Sequence, residues 1–260
     1  MDIPKVPWRF GEEYLVTDFI TPNNIAVQEL AGSLSEARRR GFIPTVSTWN
    51  RDNLYYPLDN GGNPSASGQF LRHQQGFRHY HAKNCVYYAW SLPNEVLGFT
   101  KCGICIDTAN LVCSLLRVKP VEGCWAVLGD VKSSKDNHLL GRHAWVEVPY
   151  EEAVHVIETT IHEPGTLPLV LADEIYDRDS DWAQAKGLYY VVQARYNEEE
   201  WRGEGPLAGE IVELFGLPAK RVLVMGIEKT KELSGQKKLY KEWRQEMKYV
   251  DRLLLEAYRG

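Results

Sequence analysis

The chain has 260 residues, of which 44% are hydrophobic and 25% are charged, and its formal net charge at pH 7 is −5. This composition is typical of an ordinary soluble globular protein with one large domain or two small ones. The acidic balance and the lack of a long basic run argue against a dedicated nucleic-acid binder. No apolar run reaches the roughly 18 residues that a membrane span requires, so we expect neither nucleic acid nor a membrane as a partner.

The N-terminus and the cysteine content indicate the compartment. The first residues, Met1–Trp8, lack the pattern of a signal peptide. The 5 cysteines are an odd number in a chain without such a signal, which favours reduced thiols over a disulfide framework. We therefore predict a cytoplasmic protein.

The N-terminal third predicts helices, a polar loop and an aromatic stretch. Apolar spacing predicts a helix over 25–37, with Asn23 or Asn24 as its cap and Gly41 as its stop. The other predicted elements are an irregular lead-in over 1–22, a short helix around Val46–Arg51, a loop over 57–68 and an aromatic stretch over 69–90. The loop is typical of a plain surface connection, with a flap over a cleft as the alternative. The aromatic stretch favours packing, although one of its side chains can line a groove.

A cysteine at a turn before an apolar helix is the first candidate for chemistry. Gly103 suits a tight turn, and apolar residues from Ile106 to Leu116 recur with helical spacing, which places Cys105 at the first turn of a buried helix. Unpaired backbone N–H groups and the positive end of the helix macrodipole favour an anion there. Cys105 can therefore be a nucleophilic thiolate, or it can be a small buried core residue.

The chain after the cysteine helix predicts strands. They cover Cys124–Val131, Leu139–Val148 and Ala153–Ile161, and the short link Pro149–Glu152 suits a hairpin between the last two. Such a hairpin makes these two strands antiparallel neighbours.

This hairpin can place His143 and Glu158 on adjacent strands. Period two places His143, Trp145 and Glu147 on one face of their strand, opposite Ala144, Val146 and Val148. Glu158 falls in an apolar strand, where burial of a carboxylate is costly unless the group is paired and hydrogen-bonded. A histidine on the neighbouring strand is the obvious partner.

Cys105, His143 and Glu158 together predict a catalytic triad. A thiol needs a base to take its proton, and the base needs a carboxylate to fix its tautomer and stabilise its charged form. Taken singly, His143 can be a satisfied core histidine and Glu158 a carboxylate on an edge strand. Their combination with a cysteine at a helix start favours the triad.

The C-terminal third predicts additions to the same domain. A strand over Tyr189–Arg195 would extend the sheet, and Pro206–Phe215 has a helical pattern that Gly216 would stop. Apolar residues from Leu239 to Tyr258 recur at spacings of three and four, which predicts a long helix packed on its own domain rather than one that binds a partner. Nothing here indicates a second folded domain.

Four short motifs carry a family resemblance. They are Gly-Ile-Cys-Ile-Asp-Thr-Ala at 103–109, Leu-Leu-Arg at 115–117, His-Ala-Trp-Val-Glu at 143–147 and Glu-Thr-Thr at 158–160. Together they resemble the transglutaminase-like superfamily, which includes animal transglutaminases, peptide N-glycanases and prokaryotic transglutaminase-like cysteine proteases. The segment 91–97 is similar to the short helix that precedes the nucleophile turn in the prokaryotic members. The chain departs from the family at Glu158, where an aspartate is usual.

The resemblance implies a fold and a reaction. The fold is a single α+β domain over 1–260, with a papain/transglutaminase-like core at 42–196 in which the nucleophile helix packs on an antiparallel β-sheet. Helical additions would flank this core, the C-terminal one at 197–260. The reaction is thiol-dependent acyl transfer on amide bonds of a peptide or protein, with Cys105 as nucleophile, His143 as general base and acid, and Glu158 as the orienting carboxylate.

The details of the expected reaction are as follows. We expect hydrolysis rather than transglutaminase-type amine transfer, because the chain has neither the length for extra domains nor a run with calcium-loop spacing. Neither a metal nor an organic cofactor is required. An oxyanion hole needs at least two donors. The backbone N–H of Cys105 is the natural first donor, and Trp90 and Tyr88 are candidates for the second.

Three alternatives remain open at the level of sequence. Cys102 and Cys105 form a Cys-x-x-Cys, although a short helix and a turn precede it instead of the strand expected for a redox pair. His79, His81 and Cys85 lie upstream of that motif, but structural zinc usually takes four ligands in two close pairs, and no second Cys-x-x-Cys exists. A catalytically inactive scaffold that binds peptides is the third alternative.

Overall fold

The structure, a computed structural model, describes residues 2–7, 13–36, 41–54, 80–82, 85–87, 90–101, 103–160 and 168–214. Tyr88, Cys102, the loop predicted over 57–68 and the helix predicted over 239–258 lie outside these residues. Within them, no helix combines the length and the apolar character that crossing a bilayer would demand.

The described residues alternate between helices and strands. The helices are α1 (Ile25–Glu36), α2 (Phe42–Asn53), α3 (Pro93–Glu95), α4 (Cys105–Arg117), α5 (Ala172–Tyr176), α6 (Asp181–Lys186) and α7 (Ile211–Leu214), with a 3₁₀ helix at Val16–Phe19 and a π-helix at Val96–Thr100. The strands are β1 (Lys5–Pro7), β2 (Glu13–Leu15), β3 (Tyr80–Ala82), β4 (Cys85–Tyr87), β5 (Trp125–Ser133), β6 (Leu139–Tyr150), β7 (Ala153–Ile157), β8 (Leu169–Leu171), β9 (Leu188–Tyr196) and β10 (Trp201–Gly203).

A six-stranded sheet forms the centre of the described structure. Its strand order is β10-β9-β5-β6-β7-β8, and every neighbouring pair is antiparallel. The predicted α+β class with an antiparallel sheet is therefore confirmed. The strand predicted over Tyr189–Arg195 is β9, which extends the sheet beside β5, and β10 continues the sheet beyond residue 196.

Helix α4 packs on one face of this sheet, across β5 and β6, and α1 and α2 pack against α4 in turn. Every residue of α4 from Cys105 to Leu116 is buried. Ala144, Val146 and Val148 of β6 belong to the same apolar cluster as the helix, as the period-two pattern predicted. A buried aliphatic side chain contributes roughly 1.5–3 kcal/mol, so this contact fixes α4 firmly on the sheet.

The opposite face of the sheet is covered by α5 and α6. Trp145 leads a second apolar cluster there, together with Ile175 of α5 and Tyr190 of β9. Gly129 of β5 makes room for the indole, because a Cβ at this glycine would lie 2.4 Å from Cη2 of Trp145. The sheet is therefore buried on both faces.

The N- and C-terminal elements depart from the sequence predictions in length. The lead-in predicted as irregular contains the β1–β2 hairpin. Helix α1 is capped as predicted, since the backbone N–H of Ala26 donates to Oδ1 of Asn24 at 3.0 Å. Helix α2 begins before the short helix predicted around Val46, because Pro44 is tolerated in a first helical turn. The helix predicted from Pro206 is a run of turns followed by the short α7.

Candidate active site

The β6–β7 hairpin positions a histidine and a glutamate. The strands are joined as predicted by a tight turn, in which Glu151 and Glu152 have φ angles of 49° and 66°. Positive φ at both central residues defines a type I′ turn, whose twist matches the flanking strands. His143 lies within β6, and Glu158 is the first residue after β7, so the predicted strand ends earlier than Ile161.

His143 and Glu158 form a buried ion pair. Nε2 of His143 lies 3.0 Å from Oε1 and 2.9 Å from Oε2 of the Glu158 carboxylate. Each residue is 7% exposed, so water screens the pair only weakly. Because Nε2 faces the carboxylate, Nδ1 is the ring nitrogen left for another partner.

Cys105 lies beside this imidazole. It is the first residue of α4, is 6% exposed, and interacts with His143 through its side chain. Burial lowers the pKa of His143, but the charge of Glu158 and the hydrogen bonds to Cys105 and Glu158 outweigh it and raise the pKa to about 10. The imidazole is therefore an imidazolium at neutral pH.

Glu158 is held as an anion by several donors besides the imidazolium. The hydroxyl of Tyr190 donates to Oε2 at 2.6 Å, and the backbone N–H and hydroxyl of Thr160 donate to Oε1 at 2.9 and 3.2 Å. Burial raises the pKa of Glu158, but His143, Tyr190 and the Thr160 amide together lower it to about 2. Sequence reasoning missed Tyr190, since a tyrosine in a strand carries no signal of its partner.

The turn before α4 is fixed by a buried aspartate. Asp107 accepts from the backbone N–H of Ile104 at 3.0 Å and from that of Ser91 at 2.8 Å. A Cβ at Gly103 would lie 2.8 Å from the Cβ of Asp107, so only glycine fits here without a shift. These contacts explain why glycine and aspartate flank Cys105 in the motif at 103–109.

A bridge of hydroxyl groups joins α4 to the segment that carries Glu158. The hydroxyls of Thr108 and Thr159 are 3.0 Å apart and buried. The side-chain amide of Asn50, from α2, donates to the carbonyl of Thr159 at 3.0 Å. Three chain segments thus set the position of the carboxylate relative to the thiol.

A second buried carboxylate lies on the neighbouring part of the sheet. Arg195 donates to Glu147 through Nε at 2.5 Å and Nη2 at 2.8 Å, and Tyr176 donates a short hydrogen bond to the same carboxylate. Nε1 of Trp145 donates to the Tyr176 hydroxyl at 2.8 Å. Burial lowers the pKa of Arg195, but Glu147 and Glu204 raise it by more than burial lowers it. The guanidinium therefore stays charged.

The other candidate residues are placed as follows. Trp90 is 1% exposed, and its ring packs edge-on against Phe19 in the main core, 5.2 Å between centroids. This packing alone accounts for the burial of Trp90. The oxyanion roles of Trp90 and Tyr88 stay predictions. Cys113 and Cys124 are free, buried thiols with their sulfurs 3.9 Å apart.

The zinc and redox alternatives are not decided by the described residues. Within that part of the chain, no cluster of histidine, cysteine and carboxylate side chains has the arrangement of a metal site. Cys102 and His79 lie outside it, as do the side chains of His81 and Cys85. Cys105 itself has His143 as its partner.

Comparison of the chain with protein-family models, with curated proteins and with solved structures finds no match. The resemblance to the transglutaminase-like superfamily therefore rests on the four motifs and remains a prediction.

Proposed function

We propose that this chain is a cysteine hydrolase of amide bonds with a papain/transglutaminase-like core. The observation that supports it best is the meeting of Cys105, His143 and Glu158 from a helix start, a strand and the residue after the next strand. A thiol, an imidazolium and a carboxylate in contact form the arrangement that activates a sulfur nucleophile. The proposed substrate is a peptide or protein.

The first half of the proposed reaction forms a thioester. The Cys105 thiolate attacks the carbonyl carbon of the amide, and the electron pair of the C=O bond moves to oxygen. The imidazolium of His143 then gives its proton to the leaving nitrogen as the C–N bond breaks. Glu158 keeps the ring oriented and stabilises its charged form at the start of the step.

The second half releases the acid. Neutral His143 takes a proton from water, the resulting hydroxide attacks the thioester carbonyl, and the C–S bond breaks to return the Cys105 thiolate. The proton taken from water makes His143 an imidazolium again, so the ion pair with Glu158 is restored. The two tetrahedral intermediates require an oxyanion hole, for which the backbone N–H of Cys105 is the first proposed donor.

Hydrolysis is favoured over transfer to an amine because water is far more abundant than any amine. Water is present at about 55 M and outcompetes a dilute amine at a thioester unless the site excludes it.

The proposal is tested by the selective reactivity of Cys105. We expect iodoacetamide to alkylate Cys105 below pH 7, because this thiol lies at the start of α4 beside the charged ring of His143. Cys113 and Cys124 are internal controls, since both are 0% exposed. Mass spectrometry of a limited-labelling digest measures all sites at once, and His143→Ala should remove the selectivity.

Labelling of Cys105 at the same rate as Cys113 and Cys124 would contradict the nucleophile assignment. The choice between hydrolysis and transfer needs a separate assay, in which a glutamine-containing peptide is offered with a labelled primary amine. Release of ammonia or peptide fragments that depends on Cys105 supports hydrolysis. Incorporation of the amine faster than that release would overturn hydrolysis and leave the triad intact.

A further inference from the structure

We infer that Tyr190 is a positioning residue of this site: its hydroxyl holds the Glu158 carboxylate where that carboxylate contacts Nε2 of His143. The inference rests on the proposed function, because it concerns how the side chains of Cys105, His143 and Glu158 are held in position relative to one another. Tyr190 exchanges no proton and forms no covalent bond in the proposed mechanism, so it acts only by positioning Glu158 and the His143 ring.

Tyr190 meets both members of the ion pair. Its hydroxyl donates to Oε2 of Glu158 at 2.6 Å, and its ring meets the His143 ring edge-on with 5.5 Å between centroids and 81° between planes. It is 2% exposed, so neither contact competes with bulk water. One side chain thus fixes the carboxylate by a hydrogen bond and the imidazole by packing.

The sheet brings Tyr190 to this position across an intervening strand. Strand β5 separates β9 from β6, and the β5 residue that pairs with His143 is Gly129. A side chain at Gly129 would collide with the Trp145 indole, which packs against the Tyr190 ring with 4.8 Å between centroids and 48° between planes. The glycine therefore preserves the aromatic packing that orients the tyrosine.

The hydroxyl of Tyr190 remains a donor over the whole useful pH range. Burial, the charge of Glu158 and the hydrogen bond to Glu158 raise the pKa of Tyr190 well above its ordinary value. The titratable groups that face this hydrogen bond are His143 from β6 and Cys105 from α4, and Tyr176 from α5 faces Tyr190.

The same contact gives a reason for the glutamate at this position. The Tyr190 hydroxyl, the Thr160 amide and the Thr160 hydroxyl converge on the carboxylate of Glu158 where its longer side chain places it. An aspartate would withdraw the carboxylate by one methylene from donors that the fold holds in place. Tyr190 therefore selects glutamate as the third member of the triad.

The chain supplies a matched control for the Tyr190 hydroxyl. Tyr176 also donates to a buried carboxylate on the same face of the sheet, that of Glu147, whose cationic partner is Arg195. Tyr176→Phe and Tyr190→Phe remove the same atom from comparable surroundings. Only the second removes it from the proposed triad.

The experiment measures the alkylation rate of Cys105 by iodoacetamide between about pH 1 and 8 in the full chain, a range that includes the Glu158 pKa of about 2, with thermal unfolding of each variant alongside. Loss of one hydrogen bond to a charged group raises a carboxyl pKa by about one to two units. Tyr190→Phe should therefore shift the acidic inflection of the rate profile upward by about that amount. Tyr176→Phe should leave the inflection unmoved, although it lowers the melting temperature.

A variant that strengthens the same bond guards against a Tyr190→Phe protein that fails to fold. Replacement of Tyr190 by 3-fluorotyrosine makes the hydroxyl a stronger donor, so the inflection should move downward. A role in packing alone predicts no such reversal of sign.

The outcomes separate this inference from the proposed function. A parent protein in which Cys105 alkylates no faster than Cys113 contradicts the proposed function itself. Selective alkylation in the parent, with profiles that coincide for Tyr190→Phe and the parent or shift equally for both phenylalanine variants, overturns the role of Tyr190 and leaves the triad standing.

Discussion

Two of the buried carboxylates, those of Glu158 and Glu147, differ chiefly in their cation. Glu158 pairs with His143 and accepts from Tyr190, whereas Glu147 pairs with Arg195 and accepts from Tyr176. Glu158 is 7% exposed and Glu147 is 4% exposed, and a tyrosine hydroxyl completes each site. Burial and carboxylate chemistry are therefore common to both, and the cation decides what each pair can do.

The cation decides because only one of the two can lose its proton. A guanidinium stays charged at any pH a protein meets, so the pair of Arg195 and Glu147 is a fixed structural link. An imidazolium can give up and recover a proton within a catalytic cycle. A buried carboxylate thus indicates chemistry only when a titratable partner faces it.

The largest expected effect concerns turnover. Glu158→Gln keeps the shape of the side chain but no longer stabilises the imidazolium, and loss of the comparable carboxylate in serine triads costs up to about 10⁴ in turnover. Glu147→Gln should retain most of the activity on a glutamine-containing peptide, measured as released ammonia. Glu158→Asp should fall between parent and Glu158→Gln. Equal losses in Glu158→Gln and Glu147→Gln would remove the distinction between the two pairs.

The order should reverse for stability. Glu147→Gln leaves the charge of Arg195 with Glu204 as its remaining partner, and loss of one partner from a buried pair costs about 3–5 kcal/mol in the free energy of unfolding. We expect about 2–4 kcal/mol, because the Arg195 side chain is 19% exposed and keeps that second partner. Glu158→Gln should cost less, since His143 can become neutral. Urea unfolding at neutral pH measures both.

The pairs should also differ in how stability depends on pH. The pKa of His143 is raised from 6.5 to about 10, so its contribution is complete below pH 6.5 and is lost as the pH rises towards 10. The pKa of Glu158 is lowered from 4.5 to about 2, so its contribution is complete above pH 4.5 and is lost as the pH falls towards 2.

The expected alkaline slope from His143 is up to about 1.4 kcal/mol per pH unit in the free energy of unfolding. Urea titrations at successive pH values should show this slope in the parent and in Glu147→Gln, whose arginine does not titrate in that range. The slope should be smaller in Glu158→Gln, where Cys105 still raises the pKa of His143. A slope as steep as that of the parent would mean that Glu158 is not the main cause of the raised pKa.

The smallest expected effect tests the bridge between α4 and Glu158. Thr159→Val removes one buried hydroxyl and should lower the free energy of unfolding by about 1 kcal/mol. It should also slow the alkylation of Cys105, because the thiol and carboxylate lose a shared support. Thr45→Val is the control, since the Thr45 hydroxyl makes an exposed hydrogen bond to the carbonyl of Gly41, the residue before α2. Equal alkylation rates in both variants would limit the bridge to stability.

Much of this arrangement could be predicted from local sequence patterns. The period-two pattern of β6 placed His143 opposite Ala144, and the short link predicted the hairpin that brings Glu158 alongside. The helical spacing after Gly103 placed Cys105 at the start of α4. Each of these features depends on residues close together in the chain, where periodicity and turn chemistry are informative.

The rest depends on contacts between distant segments, for which a single sequence has no local signal. Tyr190 reaches Glu158 from β9, and Arg195 neutralises Glu147 from the same strand. Sequence reasoning grouped Glu147 with His143 on one face, but it had no means of assigning a different partner to each carboxylate. The turns before α7 were overlooked because a helical apolar spacing outweighed the turn residues near Pro206.

The bridge through Asn50, Thr108 and Thr159 has a consequence for the folding of the chain. Its three members are separated by 109 and 51 residues along the sequence, so the site closes only after long loops have been ordered. Contacts between such distant residues form slowly and late. Reactivity of Cys105 should therefore return after most secondary structure during refolding, and a burst of helix signal should precede it.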